Sequence, residues 1–229
     1  MVGPANLGSA PPGTHSAPPS PTFTGVPRIL LIRHGQSTWN ANGRWQGQAD
    51  PPLSPLGEEQ ARDAARRLRA GEFSRVVASD LQRARRTAEL LAEALGLAVE
   101  IDPDLREIDV GDWTGLTRAE IDERAPGALA DWSEGRSEST PGGELRTDLT
   151  DRARAVLLRV AGQAGAGDRA LLVTHGALIR NLDRALGVAP HAMPNLGGRW
   201  YEVAGDGFIT PAEEVSLADP EDRTLSPSP

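Results

Sequence analysis

The chain has 229 residues, a formal net charge of −8, 38% hydrophobic residues and no cysteine. That length fits one domain with flanking tails, and the missing thiols exclude disulfides, thiolate metal sites and a cysteine nucleophile. The acidic balance and the lack of a long basic run argue against sequence-independent nucleic-acid binding, whereas a small anionic substrate needs only a few local cations.

Residues 1–26 are rich in Pro, Gly, Ser and Ala and cannot bury enough apolar surface to offset their chain entropy, so a disordered leader is expected. The leader has neither the charged n-region nor the apolar h-region of a secretory signal. No apolar stretch approaches the length of a membrane span. Cytoplasmic residence and no membrane partner are therefore expected. A strand is predicted over Arg28–Ile32, and its apolar run ends on Arg33 and His34. "LSPLGEEQARDAARRLRAG" follows as a helix, with Ser54 as N-cap and Pro55 at the first helical position. Next come a strand over Arg75–Ala78, a helix in "SDLQRARRTAELLAEALG" running from a Ser/Asp cap to Gly96, and a strand over Ala98–Ile101. "TRAE", 117–120, fits a capping box. Residues 144–163 show helical apolar spacing, Ala170–Thr174 reads as a strand, and "GALIRNLDRALG" reads as a helix directly after His175. A weaker strand, Arg199–Val203, takes Phe208–Ile209 as a hairpin partner. Residues 27–211 are expected to form the folded domain, and 212–229 a weakly ordered acidic tail. Strands alternating with helices argue for an α/β sandwich with a mostly parallel sheet.

Four chemistry-bearing blocks sit at predicted strand ends: Arg33-His34-Gly35, "SDLQRARRTAE" with Arg83, "LREIDVGDWTG" with Glu107, and Thr174-His175-Gly176. The carboxyl ends of strands in open α/β sheets are where ligands bind. Of four histidines, His15 lies in the leader and His191 in a Pro-bounded loop; His34 and His175 each precede a glycine at a strand end. Glycine lets backbone approach a ligand closely and frees its N–H for an anion. Two histidines with Glu107 or Asp109 could hold zinc, but Arg33 and Arg83 would set fixed positive charge beside the cation. Their fork geometry suits a dianionic phosphoryl group instead. Two arginines, two histidines and a carboxylic acid form a coherent set for phosphoryl transfer. The helix after Gly176 adds positive end-charge. Arg85 and Arg86 read as solvated helix charges, Arg106 as an ion-pair partner, and Trp39, Trp45 and Trp113 as loop packing.

"LIRHGQSTWN", "SDLQRARRTAE", "LREIDVGDWTG" and "LVTHG", in that order, resemble the histidine phosphatase superfamily, the phosphoglycerate-mutase-like proteins, over residues 28–205. The resemblance implies a three-layer α/β/α sandwich and a chemistry that needs no metal and no cofactor. It implies that His34 is the nucleophile that becomes phosphohistidine, and that Arg33, Arg83 and His175 complete the phosphate pocket. Glu107 would be the general acid, with Asp109 or Asp112 as alternatives. Asn40 matches a phosphate contact, Gln46 a further substrate contact, and Gly176 a backbone N–H donor. "GDWTG" after the acid and the compact interval between the histidine blocks resemble the phosphatase branch more than the cofactor-dependent mutases. Within that branch, "GRWQGQADPPLSPLG", "PGGE" and "LGGRW" are similar to glucosyl-3-phosphoglycerate phosphatases; ribazole phosphatases and broad-specificity members are also similar. The reading is a metal-independent phosphomonoesterase acting on a small phosphorylated metabolite of the sugar or glycerate phosphate type. A phosphoglycerate mutase and a non-catalytic phospho-ligand-binding module are the alternatives. A homodimer is left open. Segment 112–145 is the expected substrate lid.

Overall fold

The structure, a computed structural model, describes residues 25–189 and 191–218. The expected leader up to residue 24 and the tail beyond 218 lie outside the described residues. The sheet strands are β1 (Arg28–Arg33), β2 (Arg75–Ala78), β3 (Val99–Ile101), β4 (Arg169–Thr174), β5 (Gly197–Val203) and β6 (Ile209–Ser216). Their spatial order is β3-β2-β4-β1-β5-β6. β3, β2, β4 and β1 run parallel, while β5 and β6 are antiparallel additions at one edge.

Both faces of the sheet are covered, which is why the parallel strands read as continuous apolar runs. Side chains alternate between faces along β1. Ile29 and Leu31 point into a core shared with Leu149, Val156, Leu157, Leu178 and Leu182. Leu30 and Ile32 point into a second core with Ala64, Ala88, Leu91 and Leu95. The first core lies under α6 (Arg146–Gly162) and α7 (Gly176–Ala185), the second under α2 (Pro55–Ala65) and α3 (Gln82–Leu95). The result is the three-layer α/β/α sandwich.

Local signals in the sequence place most of the boundaries. Ser54 caps α2 by accepting from the Gly57 N–H, with Pro55 at the first helical position. Gly96 ends α3 in the left-handed region at φ 69°. Thr117 and Glu120 form the capping box of α4 (Arg118–Arg124). Two expectations are corrected. The start of α3 is not capped by Ser79 or Asp80; its N-cap is Leu81, and the first helical N–H is taken by Asp50, whose Oδ1 accepts from Gln82 N at 2.6 Å. Residues 212–216 are not tail: β6 continues through them, since the edge strand pairs Gly197 with Ser216, and Leu217 N then donates to Leu196 O at 2.9 Å.

No helix among the described residues is long and apolar enough to cross a membrane.

Candidate active site

The site is assembled by sheet register. Arg33 at the end of β1 pairs directly with Thr174 at the end of β4, and Ala78 at the end of β2 pairs with Val173. Because these three strands are parallel and adjacent, their carboxyl ends coincide. His34, His175 and Ser79, each one residue beyond a strand, therefore converge. His34 N donates to Thr174 O at 3.0 Å, and Ser79 N to Val173 O at 3.1 Å. The two imidazoles meet edge to face with centroids 5.1 Å apart.

His34 is buried, and its Nδ1 lies 2.6 Å from Gly35 O. A carbonyl can only accept, so the proton sits on Nδ1 and Nε2 carries the lone pair. That Nε2 accepts from Arg83 Nε at 3.2 Å. Arg83 is itself locked by donations to the carbonyls of Ala49 (2.7 Å) and Gly47 (2.9 Å). Burial, and then the charges of Arg83 and Arg33, push the His34 pKa well below its ordinary value. His175 is depressed in the same direction by burial, Arg83 and then His34. Both imidazoles are neutral at pH 7, which leaves a nucleophilic nitrogen available. His175 Nε2 lies 3.0 Å from Ser79 Oγ, and its buried Nδ1 has no hydrogen-bond partner among the described residues.

Arg33 and Arg83 are buried, and desolvation lowers their pKa values to about 9 and about 10 respectively. Both remain cationic at neutral pH. Arg33 Nη1 donates to Met193 O at 2.8 Å, and Asn195 Nδ2 donates to His34 O at 2.9 Å, so the loop before β5 braces the end of β1. Buried cations concentrated in this way form a receptor for a multiply charged anion.

Asn40 and Gln46 join the group through Ser37, the N-cap of α1 (Thr38–Ala41). Ser37 N donates to Asn40 Oδ1 (3.1 Å), Asn40 N to Ser37 Oγ (3.0 Å), and Ser37 Oγ to Gln46 Oε1 (2.7 Å). This box fixes which end of the Asn40 amide is oxygen. Its buried Nδ2 has no partner among the described residues, so it is a donor suited to an anion oxygen.

Glu107 is buried and faces the first turn of α7. Its Oε2 accepts from Ala177 N (3.1 Å), and its Oε1 from Leu178 N (3.2 Å) and Ile108 N (3.0 Å). The positive end of α7 therefore meets the Glu107 carboxylate, where the sequence had assigned that end-charge to phosphate. Glu107 is held from behind by Arg152, which donates to the carbonyls of Asp104 (2.6 Å), Arg106 (2.6 Å) and Glu107 (3.0 Å) while gripping Glu144 with two further bonds. Asp109 Oδ1 instead accepts from Gly111 N and shapes a turn. Arg106 pairs with Asp80, as expected of an ion-pair partner.

The two glycines after the histidines act differently from the expectation. Gly35 N donates to Thr87 Oγ1 at 3.1 Å and is not aimed at a ligand. The glycine is required because a Cβ there would lie 2.7 Å from Gly57 O. At Gly176 a Cβ would meet Arg180 and Arg33 side chains. Ser37, Ser79, Thr87, Arg152, Arg180 and Asn195 were not singled out from sequence. None lies in a strand-end His-Gly block, and only the fold carries them to the site.

In the expected lid, α4 and α5 (Ala128–Ser133) pack through Trp113, which meets Trp45 and Trp132 edge to face at 5.1 and 6.4 Å. Arg146 stacks 3.5 Å over the Trp132 ring. These tryptophans pack the loops, as the sequence suggested. No group of three or more His, Cys, Asp or Glu side chains that could hold a metal ion occurs among the described residues.

Two buried imidazoles, two buried guanidiniums and a carboxyl group at the carboxyl ends of three parallel strands define a phosphoryl-handling site. The profile of the histidine phosphatase superfamily (branch 1) matches residues 29–203, and the chain belongs to that superfamily. It is 42% identical over 190 residues to the glucosyl-3-phosphoglycerate phosphatase of Mycobacterium tuberculosis H37Rv, covering 78% of this chain and 85% of that protein. A Salmonella choleraesuis protein named "Probable phosphoglycerate mutase GpmB" is 39% identical over 153 residues, covering 65% of this chain and 69% of that one. A solved mycobacterial glucosyl-3-phosphoglycerate phosphatase in complex with VO3 superposes with a TM-score of 0.76 at 35% identity, covering 82% of this chain and 99% of that one.

Proposed function

We propose that this chain is a phosphomonoesterase that hydrolyses a small phosphorylated sugar or glycerate through a phosphohistidine on His34. One observation carries the reading: the Nδ1–H bond to Gly35 O leaves the His34 Nε2 lone pair beside the buried Arg83 guanidinium. His34 Nε2 attacks phosphorus in line while Arg83 passes its Nε–H from the imidazole to a phosphoryl oxygen. The ester P–O bond breaks, and Glu107 gives its proton to the leaving alkoxide. In the second step the Glu107 carboxylate takes a proton from water, and the hydroxide displaces His34 from phosphorus. Inorganic phosphate leaves, and both residues return to their starting states. Arg33, Arg83, His175 and the Asn40 amide supply the charge and hydrogen bonds on the phosphoryl oxygens, with Gln46 and Gly176 as flanking contacts. This placement of fixed cations supports a metal-independent reaction. The mycobacterial relative's named substrate supports the glucosyl-glycerate class within the sugar and glycerate phosphates.

The proposed catalytic domain spans residues 27–218. Cytoplasmic residence and a homodimer join the proposal, to be read by cell fractionation and by light scattering.

The test is phosphate release from p-nitrophenyl phosphate in EDTA, for wild type and His34→Ala. Release by wild type alone, with an acid-labile phosphoenzyme trapped only there, is the expected result. Activity that vanishes in EDTA and returns with a divalent ion would overturn the metal-free scheme. A phosphoenzyme in His34→Ala would move the nucleophile elsewhere. Return of the phosphoryl group to a glycerate in place of release would mark a mutase.

A further inference from the structure

The phosphate pocket has a further arginine at its rim. Arg180 follows Gly176 by four residues on α7 and so lies on the same helix face, one turn on. A side chain at Gly176 would sit 3.1 Å from Arg180 Nη1 and 3.4 Å from Arg33 Nε. The glycine thus leaves one small space bordered by two guanidiniums. Arg33 and Arg83 are buried, whereas Arg180 keeps partial exposure. The next cations along this surface are committed elsewhere: Arg184 Nη1 and Arg146 Nη1 both donate to Asn181 Oδ1, at 3.2 and 2.7 Å. Arg180 also feels the attraction of Glu107 and the repulsion of Arg184.

The charges do not balance on phosphate alone. Before the first step Glu107 carries its proton, and a phosphomonoester dianion is matched by Arg33 and Arg83. The Arg180 charge remains over, held against a like charge in a partly dehydrated space, an arrangement that favours a further anionic group beside the phosphate. We propose that Arg180 is a specificity-determining residue that binds a carboxylate on the substrate, close to its phosphate ester. This assignment rests on the phosphomonoesterase reading and narrows its substrate to phosphorylated hydroxy acids. A planar guanidinium meets a carboxylate with paired hydrogen bonds, which a hydroxymethyl group cannot reproduce.

3-Phosphoglycerate and glycerol 3-phosphate test this directly, because they differ only in carboxylate against hydroxymethyl. Wild type is expected to show a higher kcat/KM on 3-phosphoglycerate. In Arg180→Ala the ratio of the two kcat/KM values should fall roughly tenfold to a hundredfold, the range of one charge-assisted contact. Arg180→Lys should retain part of the preference. Glycerol 3-phosphate turnover in the same preparation reports whether each variant is folded, and Arg180→Lys carries the test if Arg180→Ala does not fold. The assignment is overturned if wild type prefers neither ester or prefers glycerol 3-phosphate, if it cleaves only p-nitrophenyl phosphate, or if the variants lose both esters equally. In those cases the phosphatase reading stands. Wild type that releases phosphate from none of the three overturns that reading, and this assignment with it.

Discussion

Truncating Arg152 to alanine tests whether the Glu107 carboxyl is positioned by the clamp behind it. Arg152 makes five hydrogen bonds: two to the Glu144 carboxylate at 2.8 and 3.0 Å and three to the carbonyls of Asp104, Arg106 and Glu107. The pair is well shielded, with side-chain exposures of 17% and 16%. Removing the guanidinium leaves Glu144 and three carbonyls short of donors. For a pair shielded to this degree the expected loss of stability is about 3 kcal/mol. That corresponds to a Tm about 6–12 °C lower for a chain of this size. The kinetic effect is separable from the stability loss. A displaced general acid costs on the order of 10²-fold, but only where the leaving group needs a proton. Arg152→Ala is therefore expected to lose about 100-fold in kcat on an alkyl phosphate, and less than about tenfold on p-nitrophenyl phosphate, whose leaving phenol is acidic. Steady-state kinetics well below the Tm, with Glu107→Gln run in parallel, make the comparison. Glu107→Gln should show the same dependence on leaving group. Equal losses of Arg152→Ala on the two substrates would refute the positioning argument and leave only a structural role for the clamp.

Two further outcomes follow from burial and packing. His34 and His175 are neutral in the folded protein at pH values where the unfolded chain protonates them, because burial and Arg83 depress both pKa values. Their contribution is fully present above the unfolded value near 6.5 and is lost as pH falls below it, by up to about 2.7 kcal/mol per pH unit for two protons. Urea unfolding between pH 7.5 and 5 measures the slope, which His34→Gln should roughly halve; a flat profile would contradict the neutral assignment. Gly57→Ala places a Cβ 1.9 Å from Gln36 O, with only backbone around it. It should destabilise by about 3 kcal/mol or more in the same assay, while Gly162→Ala, with open space around it, should be neutral or mildly stabilising.

Much of this protein is written in local sequence. The apolar runs that end on Arg33-His34 and Thr174-His175, the Ser54-Pro55 start of α2, the Thr117–Glu120 capping box and the Gly96 stop depend only on neighbours along the chain, so pattern and spacing determine them. Tail and cap errors arose where partners are distant. β6 is a strand because β5 offers it an unpaired edge, and α3 begins under Asp50 because a loop 32 residues earlier folds back to it. The site divides the same way. Residue types at strand ends identified His34, His175, Arg33, Arg83, Glu107, Asn40 and Gln46. Their chemistry was decided by tertiary structure: parallel register brings the strand ends together, Gly35 O fixes the His34 tautomer, and the Arg152–Glu144 clamp braces the Glu107 loop. The Cβ-free space at Gly176 admits Arg180. Periodicity records which face of an element is buried, but hydrogen bonds and charges between distant segments exist only once burial has dehydrated them and packing has set their distances.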